Sequence, residues 1–178
     1  MVAPSAAQIE LQITRLDPAQ HNRAQFDCGV DALNRYLKQQ ATQDMRRQIA
    51  ICYVAVDKPT EHGARIVGFY TLASAAIPIT DLPEEIAVRL PRYPTVPAAR
   101  LGRLAIDRTM HGKKLGAALL ADALSKCLDS PLAIYALVVD AKDEGAALFY
   151  RHFGFIPFQS LPLTLFLPLA TAHNARQR

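Results

Sequence analysis

Two stretches of the sequence carry residues whose types and spacing are suited to chemistry. In the first, Gly112 and Gly116 flank Lys113 and Lys114 in a polar segment that follows a strand pattern and opens a helical one. Unpaired backbone N–H groups at a helix start attract anions, glycines allow close approach, and lysines add positive charge. The segment therefore indicates a phosphate-binding loop, although a tight basic surface loop explains the same residues. It is not a P-loop, because the order G-x-x-x-x-G-K-[ST] is absent.

The second stretch covers residues 143–155 and places Ala146 and Tyr150 one turn apart on one face of a predicted helix. A phenol has an ordinary pKa of about 10, so it can donate a proton or a hydrogen bond at pH 7. The structural alternative is a packed core tyrosine with a satisfied hydroxyl. No Ser–His–Asp or Cys–His arrangement and no cluster of metal ligands stands out, so no metal site is predicted.

Strand and helix patterns must position these stretches. Apolar alternation and β-branched runs predict strands over residues 9–13, 49–56, 66–72, 101–106, 133–139, 155–158 and 164–169. Helical spacing of apolar residues predicts helices over 30–45, 115–128 and 143–153. Between 77 and 98, five of the 12 prolines predict an irregular excursion with a short helix at 83–90, either a connector or a flap over a site. The order predicts an α/β, or mixed α+β, sheet with helices on its faces.

Length, charge and cysteine content narrow the class of protein. The chain has 178 residues, which predicts one domain over 1–170 followed by a flexible C-terminal tail over 171–178. The net charge of +4 permits a polyanionic partner without requiring one. Its 3 cysteines, Cys28, Cys52 and Cys127, lie far apart, which predicts buried free thiols in a reducing cytoplasm. No apolar run approaches the roughly 20 residues that span a bilayer, so no membrane association is predicted.

The two stretches resemble the acetyl-coenzyme A motifs of the GNAT family of N-acetyltransferases. The window His111–Gly116 is similar to the family pattern [Q/R]-x-x-G-x-[G/A], with His111 in place of Gln or Arg and Lys114 in place of the first glycine. The block from Asp143 to Phe155 resembles N-x-x-A-x-x-[LF]-Y-x-x-x-G-F, with Asp143 in place of Asn. The resemblance implies the GNAT fold and Tyr150 as the catalytic acid. It also implies an acetyl-coenzyme A site formed by Leu104, Ala105, Ile106, His111, Gly112, Lys113, Lys114, Leu115, Gly116, Ala117, Asp143, Ala146, Phe149 and Tyr150.

A narrower resemblance, to the TacT- and AtaT-like toxins of bacterial toxin–antitoxin pairs, covers blocks from Phe26 to Leu169. These blocks include Phe26–Gly29, Gly68–Ala73, Arg103–Asp107 and Asp140–Glu144. The resemblance implies a cytoplasmic, homodimeric enzyme that acetylates the α-amino group of aminoacyl-tRNA and is neutralised by a ribbon-helix-helix antitoxin. Cationic residues that could then contact tRNA are Arg46, Arg47, Arg89, Arg92, Arg100, Arg103, Lys142 and Arg151.

Two other functions are compatible with the same residues. One is an N-acetyltransferase for a small-molecule amine or a protein amine, and the other is a non-catalytic module that binds coenzyme A. Asp140 and His111 are candidates for a general base that acts through water.

Overall fold

The computed structural model describes residues 11–61 and 63–176. Its strands are β1 (Gln12–Arg15), β2 (His21–Asn22), β3 (Ile51–Thr60), β4 (Gly63–Pro78), β5 (Thr95–Ile106), β6 (Ala136–Asp140), β7 (Ile156–Pro157) and β8 (Thr164–Pro168). Its α-helices are α1 (Asp31–Arg35), α2 (Ala41–Arg46), α3 (Glu84–Ala87), α4 (Leu115–Leu128), α5 (Glu144–His152) and α6 (Leu169–Arg176). A π turn covers Tyr36–Gln40, and short 3-10 turns cover Ile79–Asp81 and Arg108–Met110.

The strands form a mixed sheet, which confirms the predicted fold class. Hydrogen-bonded neighbours follow the order β1-β3-β4-β5-β6-β8-β7, with β2 beside β4. The β5–β6 and β2–β4 pairs are parallel, whereas the β1–β3, β6–β8 and β7–β8 pairs are antiparallel. Within the described residues, no helix is both long and apolar enough to cross a membrane.

Several predicted boundaries were wrong for identifiable reasons. The irregular excursion is only 79–94, because β4 runs on to Pro78 and β5 begins at Thr95. A proline is tolerated at a strand end, where its missing N–H removes no ladder bond. The predicted tail begins as α6, so Thr171–Arg176 are helical, while residues 177–178 lie outside the described residues. The first predicted strand, 9–13, starts partly outside them and is observed as Gln12–Arg15.

The predicted helix over 30–45 is two α-helical segments joined by the π turn. Its apolar residues Leu33, Leu37, Ala41 and Met45 recur every four positions, which drifts off one face of an ideal α-helix. A π turn has wider i→i+5 bonding and corrects this drift. As a result Leu37 and Ala41 are fully buried, and Leu33 and Met45 pack against the same core.

The chain divides into two compact units, each with its own hydrophobic core. The first unit comprises the residues through Phe69 together with Ala105–Leu119, and the second comprises Tyr70–Leu104 and the residues from Leu120 onward. Phe26 and Phe69 meet edge to face in the first core. Phe158 and Phe166 pack together in the second. The three cysteines are buried and free, as predicted.

A buried carboxylate anchors the loop that leaves β5 in the first unit. Asp107 Oδ1 accepts hydrogen bonds from Thr109 N (3.0 Å), Thr109 Oγ1 (2.7 Å) and Arg65 Nη2 (3.1 Å), and Oδ2 accepts from Asp27 N (3.1 Å). Burial alone would raise the pKa of Asp107, but the bonds from Thr109 and Asp27 and the charge of Arg65 lower it below its ordinary value. The carboxylate therefore stays ionised and fastens the loop to β4 and to the turn at residue 27.

We expect Asp107→Ala to lower the free energy of unfolding at pH 7 by roughly 3 kcal/mol, because charge-assisted hydrogen bonds are lost and donors are left unpaired. A depressed pKa stabilises the folded state above the ordinary value of 3.8, and this contribution is lost as pH falls through the folded-state pKa. Urea unfolding at a series of pH values measures both effects. Glu85→Ala, which changes an exposed carboxylate, serves as the control. If the difference in free energy of unfolding between the parent and Asp107→Ala were as large at pH 2 as at pH 7, the ionised Asp107 would not be the stabilising group.

Candidate active site

The predicted phosphate loop lies entirely in the first unit, and two of its residues have a left-handed backbone. Gly112 has φ 75° and Lys114 has φ 60°, both in the left-handed region. Glycine reaches this region freely, whereas a residue with a side chain reaches it at a cost of roughly 1–2 kcal/mol. Lys114 stands where the GNAT pattern has glycine, and it adopts the glycine-like conformation with an exposed side chain. The substitution therefore leaves the backbone path of the loop intact.

The first residue of the loop, His111, bonds the end of the preceding strand. The imidazole Nε2 of His111 lies 3.0 Å from the carbonyl oxygen of Ile106, the last residue of β5. Since a carbonyl only accepts, Nε2 carries the hydrogen and donates it. His111 therefore ties the loop to the strand end, a role that does not require contact with phosphate.

The start of α4 is held close to the sheet of the first unit. A Cβ at Gly68 would lie 3.1 Å from Leu119 Cδ1 and 3.3 Å from Leu115 Cδ2, so a side chain at 68 would require these leucine side chains to shift by a few tenths of an ångström. The first α-helical bond runs from Ala118 N to Lys114 O at 3.2 Å. The N–H groups of Leu115, Gly116 and Ala117 precede it and have no acceptor within the helix. No acidic residue occupies the first turn of α4, so its positive end is available to an anion.

The predicted catalytic residue, Tyr150, lies in the second unit on α5. Only 7% of its surface is exposed, and its ring packs against Phe149 (centroids 5.2 Å apart) and Phe155 (5.5 Å). Within the described residues, the hydroxyl has no hydrogen-bond partner, yet no side-chain oxygen is both fully buried and unpaired. The oxygen therefore reaches the surface while the ring is held in the core. Burial raises the pKa of Tyr150 to about 12.

The other two buried tyrosines provide a contrast. Tyr36 donates to Asp44 Oδ2 (2.9 Å) and Tyr70 donates to Asp122 Oδ2 (2.5 Å). Both hydroxyls thus have carboxylate acceptors, as buried polar groups normally require. The hydroxyl of Tyr150 has no such acceptor among the described residues, so it remains available to donate to a ligand.

The start of α5 gives Asp143 a structural role. Asp143 Oδ1 accepts from Ala146 N at 2.8 Å, which caps the helix in place of the asparagine of the family pattern. Ala146 and Phe149 are half-buried and share the flank of the helix from which Tyr150 projects. Among the sequence-predicted site residues, Leu104, Asp143, Ala146, Phe149 and Tyr150 belong to this unit.

Strand β5, which precedes the loop, extends beyond the last residue that pairs with β6. The register of β5 with β6 extends from Ala98 opposite Ala136 to Leu101 opposite Val139, but β5 continues to Ile106. Leu104, half-buried, lies on this continuation. Backbone groups on the β6 side of an unpaired strand end can bond an extended ligand.

The cationic residues predicted to contact tRNA differ in their surroundings. Arg100 is paired with Asp140, Arg151 with Glu144 (3.0 Å) and Lys142 with Asp143 (3.9 Å), while Arg103 is half-buried. Arg46 and Arg47 end α2 in the first unit, and Arg89 and Arg92 follow α3 in the second; these four are exposed. Asp140 also accepts from Thr164 Oγ1 (3.0 Å), so both of its oxygens are engaged.

Sequence reasoning missed the residues that support the loop. The order Asp107-Arg108-Thr109 after a strand is typical of an Asx turn and could have indicated the carboxylate anchor. Arg65 carries no comparable local signal, because it meets Asp107 only through the fold. Asp27 accepts from Gly29 N and Asn34 Nδ2, each at 2.9 Å, while Val30 precedes α1 without a side-chain cap.

Similarity to known proteins agrees with this geometry. Residues 86–161 match the acetyltransferase (GNAT) domain family. The chain is 30% identical to the probable toxin TacT of Sinorhizobium fredii, over 91% of this chain and 93% of that protein. It is 34% identical to the tRNA-acetylating toxin of Mycobacterium tuberculosis, over 83% of this chain and 86% of that protein. The chain belongs to the GNAT family of acetyl-coenzyme A-dependent N-acetyltransferases.

Solved structures point to the toxin branch of that family. AtaT complexed with acetyl-methionyl-tRNAfMet superimposes with a TM-score of 0.84 at 32% identity, covering 94% of this chain and 99% of that one. A mutant AtaT toxin bound to the C-terminus of the antitoxin AtaR and acetyl-CoA gives a TM-score of 0.77 at 29% identity, with the same coverage.

We expect acetyl-coenzyme A affinity to depend on the backbone of residue 114 more than on its charge. Lys114→Gly should bind within about threefold of the parent, whereas Lys114→Val should bind roughly tenfold more weakly or melt earlier, because a β-branched residue resists the left-handed region. Lys113→Val removes the same charge at a position without positive φ and is the matched control. Calorimetry measures the affinities. Equal losses in Lys114→Gly and Lys114→Val would show that the charge dominates instead.

Proposed function

We propose that this chain transfers the acetyl group of acetyl-coenzyme A to the α-amino group of aminoacyl-tRNA, and that it thereby blocks translation as the toxin of a toxin–antitoxin pair. The observation that carries the proposal is the buried ring of Tyr150 with a hydroxyl that no described residue engages. The similarity to tRNA-acetylating and AtaT toxins supports the substrate class.

The loop of the first unit is suited to the phosphates of the donor. The left-handed residues Gly112 and Lys114 shape the backbone, and the α4 start adds unpaired N–H groups and a positive helix end. Exposed Lys113 and Lys114 supply charge around that backbone. The continuation of β5 through Leu104 to Ile106 is suited to pair with the amide groups of the pantetheine arm.

In the reaction, the neutral amine attacks the thioester carbonyl, a C–N bond forms, the C–S bond breaks, and the proton that the amine loses ends on the sulfur of coenzyme A. A backbone N–H near Leu104–Ile106 would stabilise the developing oxyanion, an effect worth roughly 10²–10³ in rate. Tyr150 would donate to the departing sulfur. With a pKa of about 12, its phenol remains a donor throughout the neutral range.

The thiolate needs a hydrogen bond from Tyr150 and not its proton. An alkyl thiol has an ordinary pKa of about 8.5, and burial raises the pKa of Tyr150 to about 12, so full proton transfer from the phenol to the sulfur is unfavourable. A hydrogen bond to the developing thiolate requires no such transfer. Tyr150 therefore stabilises the leaving group by hydrogen bonding, and the proton released by the amine restores the thiol.

A dedicated base is not needed for the transfer, although one base candidate keeps a free basic atom. Asp140 uses both oxygens for Arg100 and Thr164, whereas His111 donates from Nε2 to the Ile106 carbonyl and so carries its basic lone pair on Nδ1. An aminoacyl ester has an α-amine less basic than the ordinary value of about 8, so a large fraction is already neutral at pH 7. Acetylation converts this amine into an amide, whose delocalised lone pair cannot form the next peptide bond.

The proposal extends to partners and compartment. We infer a homodimer that a ribbon-helix-helix antitoxin neutralises, in line with the AtaT structure that contains the antitoxin AtaR. A cytoplasmic location agrees with three free, buried cysteines, which a reducing compartment preserves.

The decisive experiment is incubation of the protein with labelled acetyl-coenzyme A and charged total tRNA. Label that is recovered in the aminoacyl fraction supports the proposal. Label recovered only on free polyamines or on protein amines would replace aminoacyl-tRNA with that other acceptor. Binding of coenzyme A without any transfer would indicate the non-catalytic module.

We expect Tyr150→Phe to lower kcat about 10²-fold or more and to leave acetyl-coenzyme A affinity within about twofold, because the hydroxyl acts on charge that develops only as the C–S bond breaks. Tyr36→Phe is the matched control, since it removes a buried hydroxyl bonded to Asp44. Steady-state kinetics and calorimetry separate the two quantities. An unchanged kcat in Tyr150→Phe would remove Tyr150 from the reaction.

A further inference from the structure

We propose that Tyr93, with Arg89 and Arg92, receives the single-stranded 3′ end of the tRNA acceptor. The inference rests on the proposed function and deepens it by naming a surface that selects RNA. It arises from the irregular segment 79–94, called the connector below, which lies within the second unit.

The connector is anchored and does not behave as a loose flap. Leu82 is buried, and Ile79, Ile86 and Leu90 pack against the core that contains Phe158 and Phe166. One side of the connector thus belongs to the hydrophobic core of its unit, and its opposite side is presented to solvent in a defined orientation.

The solvent side carries an aromatic ring and two cations. Tyr93 is 67% exposed, and Arg89 and Arg92 are exposed as well. Within the described residues, these three side chains have no hydrogen bond, ion pair or ring contact. By contrast, Arg100 and Arg151 are paired with carboxylates.

The backbone around Tyr93 is restricted. Pro91 and Pro94 flank it, and proline fixes φ near −65°. Tyr93 N donates to Pro91 O (2.8 Å), and Ile79 N donates to Pro94 O (3.1 Å) across the base of the connector. The backbone that carries the ring is therefore already ordered, which reduces the entropy lost on binding.

These features fit an unpaired nucleotide better than they fit duplex RNA or protein. Unpaired bases stack on exposed aromatic rings, and the neighbouring phosphates pair with arginine. Every tRNA offers such bases beside the esterified amino acid. A tyrosine that projects from an anchored turn can stack on a splayed base, whereas the bases of a duplex are already stacked.

Charge along the connector predicts which end the RNA contacts. Asp81, Glu84 and Glu85 lie in its first half, and both arginines lie in its second half. Phosphate is repelled by the former and attracted by the latter, so the RNA should follow the segment from Arg89 to Tyr93.

The test uses the full chain with two fluorescent probes: deacylated tRNA, and the same tRNA lacking its 3′-terminal CCA. We expect the parent to prefer the intact probe. Tyr93→Ala should bind it roughly 5- to 150-fold more weakly, the range of one lost base–aromatic stack, and should lose the preference. Tyr93→Phe should bind within about twofold of the parent because the π face is retained, whereas Tyr93→Leu should resemble Tyr93→Ala.

Charge variants provide a separate readout. Arg89→Ala and Arg92→Ala should each reduce the salt dependence of tRNA binding by about one in the log–log slope, whereas Glu85→Gln should strengthen binding at low salt. Leu161→Ala removes another exposed apolar side chain from the same unit and should change nothing.

Several outcomes would overturn the inference. One is that the parent and Tyr93→Ala each bind the two probes equally well. Another is that Tyr93→Ala loses binding to a protein partner but not to tRNA, which would make the surface a protein interface. The acetylation assay separates this inference from the proposed function. Parental activity on aminoacyl-tRNA that Tyr93→Ala retains in full would refute only the Tyr93 surface, whereas a parent without such activity would refute the function itself.

Discussion

A donor that is to serve a ligand must stay unpaired in the folded protein, although folding normally satisfies or exposes every polar group. The second unit meets this constraint with one side chain. Packing against Phe149 and Phe155 immobilises the ring of Tyr150, and its oxygen emerges at the surface. Burial of the ring also raises the pKa of Tyr150 to about 12, further above neutral pH than the ordinary value at which a phenol is already protonated. The remaining features of the unit support the placement of the ring: the Asp143 cap begins the helix, and β6 with its Asp140 contacts leads into it.

The first unit solves a different problem, the recognition of an anion by backbone. Its loop owes little to side-chain identity, because a lysine occupies a position where the family pattern has glycine and still takes the left-handed conformation. The segment that leads into the loop is held by side-chain contacts: Asp107 holds the preceding turn through Thr109, Asp27 and Arg65, and His111 bonds the end of β5.

Much of this arrangement follows from local sequence, and the rest depends on contacts between distant residues. The helix 115–128 was predicted with its observed bounds, because a glycine-bearing loop precedes it and its apolar spacing is regular. The Tyr150 helix and the mixed sheet were likewise predictable. The pairing of Arg65 with Asp107 was not, since 42 residues separate the partners. Neither was the exposure of Tyr93, because an aromatic residue among prolines is compatible with burial or with display. The engagement of Asp140 by Arg100 and Thr164 depends on strand register, which periodicity does not determine.

The π turn at Tyr36–Gln40 constrains how this chain can change in length during evolution. An α-helix turns each residue by about 100°, and a π turn with its i→i+5 bonds holds about one residue more than an α turn. Loss of one residue within Tyr36–Gln40 would therefore close the π turn to an α turn, and Ala41 and Met45 would still face their core partners. The same loss within α1 or α2 would rotate the residues that follow it away from the core. Differences of one residue among relatives should therefore gather at this turn, where exposed Gln39 and Gln40 can be lost at small cost.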